Sequence, residues 1–406
     1  MATNPLLKGA ATAGELAQSR EMRDLLQWFT REKQWISEQH LELCRIPAPT
    51  FLEHQRAEWM AAQLQIYGCE VQIDRAGNVV AFPTPDRKGP LIALTAHLDT
   101  VLAPKNREEI AVDRDGRFRG PGVCDNGAGL AALLAVARAL QVHPMPRGES
   151  DAGLVLVANV GEEGEGNLSG MRHLCKQSPV GKRITAFVIL DGATTDHITS
   201  QALGSRRFEV TFTGPGGHSW SDYGTGNPVH ALSRAVTIFA DTRLSGGARA
   251  SLNIGLIEGG TSINSIPVLA KAKVDIRSES NEKMDELVEQ LAAAVEKAQE
   301  MENDRATGGK VTAKLKEIGA RPAGQLAPGA AILTYLRMVD AHLGIRSHLD
   351  CASTDANIPL SLGIPAVSIG AGGQGGRAHS PQEWFLPDGR DLALKRIVLT
   401  LGMLLR

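Results

Sequence analysis

Four short runs of almost purely apolar residues constrain this chain more than any other feature. They are LIALTAH (91–97), GLVLVANV (153–160), ITAFVIL (184–190) and PAVSIG (365–370). A strand with one wet face alternates apolar and polar residues, because successive side chains point to opposite faces. A run without alternation needs cover on both faces, the condition of a strand inside a parallel sheet flanked by helices. Helical patterns supply that cover: HQRAEWMAAQLQIYG before the first run, GLAALLAVARAL between the first and second, and GMRHLCKQ before the third. Strands alternating with helices specify an α/β domain with a mostly parallel sheet. Residues 18–43 read as one further helix, EVQIDRAGNVVAFP as a hairpin, and residues near 330–342 as another helix.

From about residue 206 the pattern changes. RRFEVTFTG alternates like a half-exposed strand, NPVHALSRAVTIFADTRL is a helix opened by Asn-Pro, and SLNIGLIEGG and LAKAKVDIRSE are two more strands. The long amphipathic helix NEKMDELVEQLAAAVEKAQEME and the strand KVTAKLKEIG complete a β-α-β-β-α-β order, the ferredoxin-like α+β pattern. A chain of 406 residues exceeds what one core usually serves. The expected organisation is a larger discontinuous domain, 1–205 with 321–406, interrupted by an inserted domain at 206–320.

Composition narrows the function classes. The net charge is −2 and Lys and Arg form no long clusters, which argues against nucleic acid or an anionic membrane as partner. Five cysteines without a CxxC pair read as reduced thiols rather than a disulfide framework or zinc finger. The opening MATNPLLKGAATAGELAQSR lacks the basic start and apolar core of a signal peptide. No apolar run approaches the ~18 residues of a membrane span. A cytoplasmic location is expected.

The residues after each apolar run point to chemistry. The first run leads into His97 and Asp99, the second into Glu162 and Glu163, the third into Asp191, and the fourth, through GAGGQGGRA, to His379. Asp125 lies between the first two, in GPGVCDNGAG before a helix. Open α/β sheets bind ligands outside the carboxyl ends of their strands, so these candidates share one edge. His97 and Asp99, two apart, can face one site, the imidazole ligating a metal while the carboxylate orients the ring. Adjacent Glu162 and Glu163 diverge if extended and suit different tasks, one ligating and one holding a proton. Each piece alone has an ordinary explanation: a surface polar pair, a solvated Glu-Glu face, a turn at Asp-Asn-Gly, an N-cap at Asp191. GPGVCDNGAG fits neither phosphate-loop spacing. The recurrence at several strand ends favours a site.

The segments TAHLDTV, GPGVCDNGAGLAALL, NVGEEGEGNLSG, VILDGA, GPGGHS, NSIP, VDIRS and STDANIPLSLGIPAVSIGAGG…AHS, in this order, resemble the co-catalytic zinc exopeptidases. That family includes peptidase T, carboxypeptidase G, succinyl-diaminopimelate desuccinylase and the aminoacylases. The resemblance covers about residues 95 to 385 and implies a lid, or dimerisation, role for the inserted segment. It implies two Zn2+ ions bridged by Asp125, one completed by His97 and Asp191 and the other by Glu163 and His379, with Co2+ or Mn2+ as possible substitutes. Asp99 would orient His97, and Glu162 would be the general base for metal-activated water. A cis peptide between Asp125 and Asn126 is also implied.

His218, in GPGGHSW, matches a lid histidine that reaches a partner subunit's site in dimeric members, which implies a homodimer. Asn264 and Arg277 match lid residues that hold substrate, Arg277 through a carboxylate. A turn histidine, a turn former and an exposed strand residue are the plain alternatives. Asp at position 191 resembles the aminopeptidase and peptidase T branches, so a short peptide is the expected substrate. An N-acyl or N-carbamoyl amino acid is the alternative for the same scaffold, and a non-catalytic binding protein is a third reading.

Overall fold

The computed structural model describes residues 12–84, 88–146, 150–244 and 246–406. Residues 1–11, part of the opening segment that lacks signal-peptide features, lie outside them. The described chain forms two compact units: residues up to Gln201 together with Gln325–Arg406, and Ala202–Gly324. The breaks expected at 205/206 and 320/321 fall inside the strands Gly204–Thr213 and Thr312–Arg321. These strands pair with each other from Thr312↔Thr213 to Arg321↔Ser205, so both stay whole within the second unit.

The four apolar runs form the middle of the first unit's sheet. Six of its nine described strands lie consecutively in the order Glu70–Ile73, Val79–Phe82, Gly153–Asn159, Leu91–His97, Ile184–Leu190, Ala366–Ile369. The last four are mutually parallel. The margins are antiparallel, at the expected hairpin on one side and at Ser368↔Thr199 on the other. Leu91–His97, at the centre, is buried along its whole length. Gly127–Val142 is the most enclosed covering helix, with twelve buried residues. At Gly127 a Cβ would strike Cys44 Sγ and the Gly122 carbonyl, so only glycine lets the helix begin this close to its neighbours.

One expected element is divided. Residues 18–43 form two helices, Arg20–Arg31 and Lys33–Cys44, that meet at Glu32 (φ −95°, ψ 23°). Trp28 and Trp35 pack edge to face across the break, with centroids 5.7 Å apart.

The second unit has the β-α-β-β-α-β order, with an antiparallel sheet ordered Ala250–Gly259, Leu269–Ser278, Gly204–Thr213, Thr312–Arg321. The helices Pro228–Ala240 and Asn281–Arg305 cover one face, and Phe208, Phe212, Phe239, Ile276, Leu287 and Leu291 form its core. Asn227 caps the first helix as Asn-Pro predicts, its side chain accepting from the Val229 N–H at 2.9 Å. Among the described residues no helix is long and apolar enough to cross a membrane, and all five cysteines are free thiols.

Candidate metal centre

Parallel strands in register deliver their C-terminal residues to one edge, and the first unit does this with His97 beside Asn159. The chain after His97 is held from two sides, Leu98 N–H donating to the Asn159 carbonyl (2.7 Å) and Thr100 N–H to the Ala48 carbonyl (2.9 Å). Between them Asp99 is completely buried. Its Oδ1 accepts from the Glu162 N–H (2.9 Å), and its Oδ2 accepts from the Glu163 N–H (2.9 Å) and the Thr50 hydroxyl (3.0 Å). One carboxylate therefore ties the loop carrying both glutamates to the end of the central strand.

His97 Nδ1 lies 3.0 Å from the Asp99 backbone carbonyl and 3.5 Å from its Oδ1. The backbone thus leads in orienting the ring, and the carboxylate adds to it. The other nitrogen, Nε2, faces Asp125 Oδ1 at 3.1 Å and Asp191 Oδ1 at 3.9 Å. On the far side of Asp125, Oδ2 meets His379 Nε2 at 3.0 Å, and that same nitrogen lies 2.8 Å from Glu163 Oε1. The Asp125–Asn126 peptide bond is cis. Asn126 caps the next helix through Gly129 N–H (3.1 Å), and its amide donates to the Leu190 carbonyl (2.8 Å), next to Asp191.

The electrostatics arise from these distances. Burial works against a charged His97, yet the Asp125, Asp191 and Asp99 carboxylates overcome it and raise its pKa well above the ordinary imidazole range. His379, half exposed, is pushed up to about 10 by Asp125 and Glu163. Asp125 is held well below the usual carboxylate range by His379 and His97, against the opposing effect of burial. Four carboxylates, Asp99, Asp125, Glu163 and Asp191, thus converge with two imidazoles whose hold on a proton they strengthen. Such a donor set fits divalent cations, which would replace those protons. His97, Asp125 and Glu163 each offer a ligand atom within 4.8 Å of the others.

In the second unit His218 and Asn264 lie together. His218 pairs with Ser265 in a short antiparallel ladder, and the Asn264 carbonyl accepts from Ser219 N–H at 2.9 Å. The exposed His218 ring accepts at Nδ1 from the Trp220 (3.2 Å) and Ser221 (3.4 Å) N–H groups, which leaves the proton on Nε2. Arg277 is not with them. It pairs with Asp275 (2.7 Å) near the Ser278 end of Leu269–Ser278, whereas the His218 ladder adjoins the Leu269 end. Eight residue steps of strand separate Arg277 from Leu269, about 26 Å.

A family model for peptidase family M20/M25/M40 matches residues 93–401, a span that takes in every candidate site residue from His97 to His379. The chain belongs to peptidase family M20/M25/M40. As a member it is an enzyme of the hydrolase class, and the converging donors are a group able to hold metal. Succinyl-diaminopimelate desuccinylase of Corynebacterium glutamicum is 27% identical over 338 residues, covering 81% of this chain and 86% of that one. A probable carboxypeptidase of Uncinocarpus reesii is 29% identical over 244 residues, 54% of this chain and 52% of that protein, so the match spans about half of its length. Aminopeptidase PepT of Bacillus cereus shares the fold, with a TM-score of 0.73 at 20% identity over 92% of this chain and 99% of that one.

Several supporting residues of this M20/M25/M40 chain escape sequence reasoning. Thr50 carries no signal of its own, and Asn126 reads as a turn and helix start and as one side of the implied cis peptide. Buried Asp355 accepts from Asn159 Nδ2 at 2.7 Å, and burial pushes its carboxyl up to about 7. Glu383, four residues after His379, is buried against the Asp125 loop. Its nearness to a candidate ligand in sequence was the one available signal.

Proposed function

We propose that this M20/M25/M40 hydrolase is a dinuclear metal exopeptidase acting on short peptides. The observation that carries the reading is Asp125, whose two carboxylate oxygens face different histidines, His97 at 3.1 Å and His379 at 3.0 Å. Those are donors for two cations sharing one carboxylate, with Asp191 beside His97 and Glu163 beside His379. Imidazole and carboxylate donors suit Zn2+, and Co2+ or Mn2+ can substitute. Two such cations would supply Lewis acidity and lower the pKa of water at the site.

Glu162 is the proposed general base. Its carboxylate takes a proton from the attacking water as the C–O bond forms, and returns it to the leaving amine as the C–N bond breaks. The Nε2–H of His218 is the proposed donor to the oxyanion, and Asn264 and Arg277 are proposed to hold substrate. A homodimer in which each chain lends His218 to its partner's site is proposed on the resemblance of GPGGHS to the lid segment of dimeric members.

The likeness to an aminopeptidase favours cleavage at the N-terminus of a short peptide, and a cytoplasmic location is proposed with it. The desuccinylase relative favours a second reading, hydrolysis of N-acyl or N-carbamoyl amino acids by the same groups. Zinc-loaded enzyme tested against both substrate classes separates them, together with metal analysis expected to give about two ions per chain. A metal-loaded protein that hydrolyses neither class would return the non-catalytic binding role.

A further inference from the structure

We infer that Glu383 is a positioning residue for the metal centre, holding the backbone of the loop that presents Asp125. The inference rests on the proposed role of Asp125 as the shared ligand. Glu383 is 2% exposed. Its Oε2 accepts from the Gly122 N–H (2.9 Å), and its Oε1 accepts from the Cys124 (2.7 Å) and Asp125 (2.8 Å) N–H groups. The backbone N–H groups of one short loop therefore converge on a single carboxylate contributed from 258 residues away.

The grip comes from both sides. Gly122 at φ 75° turns the loop so that the Val123 carbonyl points away from Glu383, where His40 Nε2 donates to it at 2.7 Å. Arg390 donates to His40 Nδ1 at 3.0 Å, which fixes the tautomer. The segment carrying Glu383 is itself tied down. Its carbonyl accepts from Gly120 N–H at 3.1 Å, and Trp384 and Phe385 pair with Arg119 and Phe118.

The same segment carries His379. Glu383 N–H donates to the Ser380 carbonyl at 3.1 Å, closing a turn between the two residues. His379 Nε2 and the Glu383 carboxylate thus reach Asp125 together, one at its side chain and one at its backbone. Moving the loop relative to this turn moves Asp125 relative to His379.

A carboxylate suits the task better than an amide. Three N–H donors require only acceptors, and ionised acceptors bind them more strongly than neutral ones. Burying a carboxylate is costly unless it is fully hydrogen-bonded, and the loop supplies those bonds. Glutamine at 383 keeps one oxygen for Cys124 and Asp125 and sets its NH2 against the Gly122 N–H.

The test compares zinc affinity of the whole chain, measured by competition with a chromophoric chelator, among wild type, E383A, E383Q, D125N and V339A. E383A is expected to bind at least one zinc ten- to a hundred-fold more weakly, the range for groups that support metal ligands. E383Q should fall between E383A and wild type, and kcat should drop with affinity while KM changes little. V339A truncates a buried side chain in the helix Ala331–Leu343 and serves as the control for lost stability, with wild-type zinc affinity. If D125N loses zinc while E383A and E383Q keep wild-type affinity, the inference is overturned and the reading of Asp125 stands. If D125N keeps both zinc ions, the reading of Asp125 falls and the inference with it. Should E383A fail to fold, E383Q decides alone, and wild-type affinity there overturns the inference.

Discussion

Replacing Asp99 by asparagine perturbs the candidate centre at the point where its geometry is most concentrated. The carboxylate is fully buried and accepts from the Glu162 N–H, the Glu163 N–H and the Thr50 hydroxyl. The amide can point its oxygen toward Glu163 and Thr50, keeping two bonds, but its NH2 then confronts the Glu162 N–H. A buried donor left without its acceptor costs ~1–3 kcal/mol. The two retained bonds change from an ionised to a neutral acceptor and weaken by about 1 kcal/mol each. The expected loss of stability is therefore roughly 3–5 kcal/mol. Because the displaced loop carries Glu162 and Glu163, kcat/KM should fall about ten- to a hundred-fold. The measurement is urea unfolding of zinc-loaded protein, since metal balances the carboxylate repulsion that neutralising Asp99 would otherwise relieve. T50V, which removes only one donor, should cost about 1 kcal/mol. A D99N protein within about 1 kcal/mol of wild type, with kcat/KM within threefold, would refute the assignment of Asp99 as the organiser of this loop.

The same geometry sets three further outcomes. E162Q should lower kcat by ~10²–10⁴ with zinc content unchanged, and loss of zinc instead would exchange the roles of Glu162 and Glu163. H218A should lower kcat by ~10²–10³, and mixed dimers of H218A with E162A, confirmed by mass spectrometry, should regain activity; mixed dimers without activity would remove the shared site. His40 is buried neutral, its pKa depressed first by burial and then by Arg390, while its bond to Val123 opposes the shift. Below pH ~6.5 the unfolded chain takes up a proton that folded His40 refuses, so stability falls toward acid by up to ~1.4 kcal/mol per pH unit and is unaffected above. H40Q, which keeps a donor for the Val123 carbonyl, should show a shallower decline between pH 7 and 5.5 in urea titrations, and equal slopes would remove His40 as the cause.

The Leu91–His97, Gly153–Asn159, Ile184–Leu190 and Ala366–Ile369 strands were legible because their unbroken apolar pattern has one physical solution, burial on both faces. Their parallel arrangement also made the site legible. Parallel strands end at a common edge, so polar residues just beyond them are neighbours wherever they fall in the chain. His97, Asp125, Glu163 and His379, gathered by hydrogen-bond distances of 2.8–3.1 Å, were found on that reasoning and on the resemblance.

Other features were decided by tertiary structure alone. The helix break at Glu32 and the antiparallel join of the expected hairpin to Gly153–Asn159 depend on how the chain runs in the fold, which periodicity does not encode. The separation of Arg277 from His218 becomes visible only when strand register is known. Thr50 meets Asp99 across 49 positions, and Glu383 meets the Asp125 loop across 258. The sequence alone determined which segments are buried and which residues can do chemistry, because hydrophobic period and side-chain type are local properties. The residues that hold those groups in place are chosen by the folded backbone, whose N–H groups present a geometry no single stretch of sequence contains.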